Sequence, residues 1–163
     1  MENIIDEELK NKCFEKRTVS IEPTITLIKR VELIKSIAEQ HKNNSLYFLD
    51  GAETMLNSNT PLLAVLLGYF AMEHKANQFL ALKGYKVESH ICTQLGLSRL
   101  LKKKELARKI SEVFQERQTI GYRMFLKQSE EEQKHAKKII EEKIIPFIEE
   151  IDALIESETN ENS

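Results

Sequence analysis

Apolar residues recur in steps of four and three along the first third of the chain: Leu27, Val31, Ile34, Ala38, His41, Ser45, Phe48, Ala52 and Met55. That rhythm describes one face of an α-helix. It passes without a break through Asn43 and Asn44, so it predicts one long helix, opened by Pro23 in its first turn. His41 and Ser45 are polar interruptions of the seam. NSNTP, Asn57 to Pro61, reads as a turn followed by a helix start, with Thr60 as N-cap and Pro61 as the first helical residue. The second helix runs to Lys83, and Gly84 can supply a left-handed cap. Its first three turns are apolar nearly all round, which belongs in the middle of a bundle.

A short third helix is expected over about Ser89 to Leu101. Lys102 to Glu105 opens a fourth, running to about Lys127. SEEE, Ser129 to Glu132, is a capping box for a fifth that runs to about Ser157. Pro146 inside it predicts a kink, because it lacks an N–H and crowds the carbonyl of Glu142. No repeat is evident and no strand is needed. The expectation is an all-α fold, an antiparallel up-and-down bundle of four to five helices. Residues 1–22 form a polar N-terminal segment with room for a short helix, 23–157 the bundle, and 158–163 a disordered tail.

Composition adds limits. A length of 163 residues suits one domain, and five glycines and three prolines favour helix. The net charge of −2 shows no global basic excess for nucleic acid. Cys13 and Cys92 lie far apart and form no CxxC motif, which predicts free thiols in a reducing compartment. Met1 to Lys10 is charged and lacks the apolar core of a signal peptide. The uncharged run Pro61 to Met72 is too short to span a bilayer. A cytoplasmic protein with no membrane contact is expected.

Candidate chemistry sits on the apolar faces. With about 100° per residue, Leu62, Leu66, Tyr69, Phe70, Ala76, Asn77 and Leu80 surround Glu73 on its stripe. Leu106, Ile110, Val113, Phe114, Ile120, Gly121 and Met124 surround Arg117 in the same way. An unpaired charge in such a place costs several kcal/mol. The two are therefore expected to meet as a Glu73–Arg117 pair, with the planar guanidinium holding the carboxylate. His74 lies at the edge of the stripe. His90 starts the third helix beside Ser89, and His135 lies among charges. There is no HExxH motif and no Cys/His cluster, so no metal and no other cofactor is expected. Nor is there a glycine-rich phosphate loop or a serine nucleophile elbow.

Three segments together resemble one known family. GYFAMEH, Gly68 to His74, is similar to the AYYAMFH segment of the HEPN domain family. KGYKVESH, Lys83 to His90, is similar to its KGYREKSH turn, and ERQTIGYR, Glu116 to Arg123, to its R-x-x-A-D-Y segment. A cysteine near Cys13 and an I-x-P element like Ile21 to Pro23 resemble archaeal members. The resemblance covers about Leu9 to Ile155. It implies a bundle of four or five helices, often a homodimer, whose members are frequently partners of a small nucleotidyltransferase in toxin–antitoxin pairs.

Active members of that family are metal-independent ribonucleases with an R-x(4–6)-H motif. This chain departs from it: Arg117 matches the arginine, but Tyr122 stands where the histidine belongs. A tyrosine titrates near pH 10 and is a poor base at neutral pH. Glu73 replaces the usual phenylalanine and Gly121 the usual aspartate. The resemblance therefore implies a binding module for a protein partner, a nucleotide or RNA. Its cleft would be lined by Tyr69, Glu73, His74, His90, Arg117 and Tyr122, where Arg117 holds either a phosphate or the Glu73 carboxylate. One alternative is a divergent ribonuclease using Arg117 with His74 or His90 as base. Another is a structural dimerisation domain.

Overall fold

The computed structural model describes residues 7–14, 24–123 and 129–161, with the side chains of 120–123 and 161 set aside. It is a helical bundle of several helices. At its centre α2 (Val31–Asn57) and α3 (Pro61–Leu82) form a helical hairpin closed by a three-residue turn. Thr60 is the N-cap residue of α3 and Pro61 its first residue. The Thr60 hydroxyl donates back to the Met55 carbonyl at 2.7 Å, so it closes the turn instead of capping the helix. Buried residues lie on almost every side of α3, as its continuous apolar sequence requires. Around it pack α5 (Lys104–Arg123), α6 (Glu130–Ile139) and α7 (Ile145–Glu161). They share a core that includes Tyr69, Met72, Phe79, Leu106, Ile110, Val113, Ile144 and Phe147.

The start of α2 differs from the sequence expectation. Ile25–Leu27 is not helical but forms a short strand, β1, paired antiparallel with β2 (Tyr85–Val87). Gly84 makes this possible. It takes φ +86 and donates to Ala81 at the end of α3, while its carbonyl accepts from the Ile28 N–H at 2.7 Å. A three-residue strand has too few positions to show alternation, and Leu27 fits the helical rhythm equally well. Pro23 lies outside the described residues. From Ile34 to Met55 the seam behaves as expected, with Ala38, Ser45 and Ala52 buried.

A second, smaller core lies beneath the strand pair. α1 (Glu7–Leu9) widens into a π turn over Lys10–Phe14, and Leu9 and Cys13 pack there with Ile25, Leu80, Val87 and Cys92. Cys13 and Cys92 are joined in a disulfide. The expectation of two free thiols is thus overturned, and the cysteine argument for a reducing compartment falls with it. Among the described residues no helix is long and apolar enough to cross a membrane.

α4 (His90–Leu95) continues as a π turn over Gly96–Leu100, matching the short third helix. α5 is described as far as Arg123, so its expected end at Lys127 lies outside the described residues. The capping box of α6 is present in full: Ser129 Oγ accepts from the Glu132 N–H, and the Glu132 carboxylate accepts from the Ser129 N–H. Ahead of Pro146 the helix passes through a π turn, Ile140–Ile144. This wider turn is where the chain meets the missing N–H of the proline. α7 then runs to Glu161, beyond the expected stop at Ser157.

Candidate functional site

Tyr69, Phe70, Glu73 and His74 project from consecutive turns of α3, and α5 brings Phe114 and Arg117 to the same level. The guanidinium carbon of Arg117 lies 5.2 Å from the Tyr69 ring centre, 5.4 Å from that of Phe70 and 5.5 Å from that of Phe114. Three aromatic faces therefore hold the cation, each contact worth about 0.5–2 kcal/mol according to its solvation. Arg117 Nη1 is buried and has no hydrogen-bond partner among the described residues. A charged donor left unpaired costs at least about 1–3 kcal/mol, so this N–H is poised for an acceptor.

The expected Glu73–Arg117 ion pair is not made. Glu73 instead meets His90, whose Nδ1 lies 2.5 Å from Oε1 of the carboxylate. The Tyr69 hydroxyl lies 3.2 Å from the same Nδ1. The two charges nevertheless belong to one network: Tyr69 touches both His90 and Arg117, and so does Phe114. Burial raises the Glu73 carboxyl above its usual range, while His90 and then Arg117 draw it back down. Burial, with the Glu73 charge behind it, drives the Tyr69 hydroxyl well above its ordinary value against the opposing Arg117. Tyr69 stays neutral and serves as a hydrogen-bonding group.

An ionised Glu73 can only accept, so the hydrogen of this contact is carried by His90 Nδ1, and Nε2 is the ring nitrogen left outside it. His90 can occupy this position because of the elements before it. The Gly84 turn, the β1–β2 pairing and the α4 N-terminus at Ser89 together bring residue 90 back over α3.

His74, expected in the same cleft, makes its contacts on α2. Its Nδ1 lies 2.8 Å from Nδ1 of His41, and its ring stacks on Phe48 with centres 5.4 Å apart. Two facing Nδ1 atoms at that distance need one proton between them, so one ring donates and the other accepts. Burial, then His74, then Lys86 push His41 down to about 4, and burial lowers His74. Both are neutral at pH 7. Tyr122 lies on α5, but its side chain is outside those described.

The site thus joins Tyr69, Glu73, His90 and Arg117, and adds Phe70 and Phe114, which the sequence marked only as core. Their signal was present, since each lies within the apolar arc around Glu73 or Arg117. Among the described residues no group of three or more His, Cys, Asp or Glu side chains could hold a metal ion. No protein-family model, curated protein or solved structure matches the chain.

Proposed function

We propose that this is a HEPN-like binding module that takes a phosphate group, from a nucleotide or from RNA, at Arg117. One observation carries the reading. Arg117 has two candidate uses, holding the Glu73 carboxylate or holding an external anion, and His90 has taken the carboxylate. The guanidinium is left seated on three aromatic rings, with a buried Nη1 unpaired among the described residues. A fork of N–H donors with one bond unmade suits a phosphate oxygen. The resemblance to the HEPN family supplies the wider context: a homodimer, a small nucleotidyltransferase as partner and a toxin–antitoxin setting. Fluorescence anisotropy with a labelled single-stranded RNA tests the reading. The parent chain binds, and Arg117→Ala weakens binding by about tenfold or more. Equal affinity in parent and variant overturns it.

A second reading, a divergent ribonuclease, is favoured by the Glu73–His90 contact. A carboxylate that holds Nδ1–H orients the imidazole and leaves Nε2 as a base, beside an arginine able to stabilise charge on phosphorus. RNA cleavage by the purified chain, lost on both His90→Ala and Arg117→Ala, establishes it. Cleavage that persists in both variants belongs to a contaminant and removes it.

A further inference from the structure

β1 and the N-terminal stretch of α2 carry an apolar seam that the described residues leave exposed. Leu27 and Val31 continue the pattern that buries Ala38, Ser45 and Ala52, yet they are 63% and 61% exposed, and Leu33 is 49% exposed. Together with Ile37 and the strand pair, Leu27 and Leu33 line an open groove of about 360 Å³. The groove is bordered by Lys29, Arg30 and Lys86. Lys86 is paired with Glu88 at 2.7 Å, while Lys29 and Arg30 make no ion pair among the described residues.

We propose that this groove is a docking site for an acidic amphipathic helix of a protein partner. The apolar floor runs between a strand end and the Leu33–Ile37 row of α2. It accepts side chains at the three- and four-residue spacing of one helical face. The rim supplies the second half of the recognition. Its unpaired cations match carboxylates on the flanks of the docked helix and disfavour a basic one. A nucleic acid would use the cations but would leave the leucines against phosphate and water, so the observations favour a peptide. This surface is separate from Arg117, and its proposal does not depend on the reading of that site.

The test is selection from a random peptide library displayed on phage, with the intact oxidised protein as bait. Enriched peptides are expected to be net negative, with large apolar residues at helical spacing. Their synthetic forms lose about tenfold or more in affinity on Leu33→Glu, and also on the double change Lys29→Glu and Arg30→Glu. Leu63→Glu, at an exposed position on α3, leaves binding unchanged. Circular dichroism checks that each variant stays folded, and Leu27→Ser provides a second apolar variant. Recovery of basic peptides, of none, or of binders indifferent to Leu33→Glu overturns the proposal. Self-association lost on Leu33→Glu assigns the groove to a second copy. RNA binding lost on Lys29→Glu but kept on Leu27→Ser assigns it to nucleic acid. Either of these outcomes also overturns the proposal.

Discussion

Glu73 and His90 lie in contact at 2.5 Å across the gap between α3 and α4, and Glu73 is only 13% exposed. The carboxyl titrates above its ordinary value of 4.5, with burial the largest cause. A carboxyl raised in this way makes the folded state hold its proton longer than the unfolded chain does. Its contribution to stability therefore declines as pH rises from about 4.5 through the folded-state value. Glu73→Gln removes that titration. Urea unfolding across the acid range should show the variant gaining on the parent as pH rises. A constant difference at all pH values would contradict the raised carboxyl.

The His41–His74 pair produces the opposite slope. His41 is held near 4 against an ordinary 6.5, so the unfolded chain takes up a proton first as pH falls. Stability from this group is complete above 6.5 and lost as pH falls towards 4. The size is about 1–2 kcal/mol after solvent screening of a partly exposed ring is discounted. His41→Leu should flatten the parent's loss of stability between pH 6.5 and 4. An unchanged slope shows that the pair is not the titrating element.

Gly68 lets α3 approach the π turn before α7. A Cβ on residue 68 would run into Cδ1 of Ile144, whose side chain is fully buried. Overpacking of this kind costs about 1–3 kcal/mol, and alanine's helix preference returns about 1. Gly68→Ala should therefore lose about 1 kcal/mol net. Ile144→Val removes Cδ1, so the double variant should be more stable than the sum of the single changes allows. Simple additivity would show that the approach is looser than this.

The disulfide closes a loop between residues 79 apart in sequence. Chain entropy alone assigns such a link about 4.5 kcal/mol. Thiol reductant, or the Cys13→Ser and Cys92→Ser pair, should lower stability by about that much and expose residues 7–14 to protease. Equal stability and protection with and without reductant would contradict the link.

The central bundle was legible because its signals are local. The α2 seam, Pro61, the Gly84 cap and the Ser129 capping box each act within a turn or two of helix. The placement of Glu73 and Arg117 on inward faces was also legible, since one helix sets each angle. Their partners were not. His90 reaches Glu73 only after the Gly84 turn and the β1–β2 pairing have folded the chain back, and neither strand is long enough to show a period of two. The disulfide was hidden for the same reason. No spacing rule links residues 13 and 92, and only the packing of the N-terminal turn beneath the strands brings them together.

We propose that Arg117 takes an external phosphate while His90 holds the Glu73 carboxylate. The most direct measurement is NMR of guanidinium nitrogens in the arginine-labelled protein during titration with adenosine monophosphate and with a short RNA. Arg117 should shift saturably with one of these ligands, and His90→Ala should weaken the response by freeing Glu73 to compete for the guanidinium. An Arg117 signal indifferent to both ligands, while the protein remains folded, would contradict it.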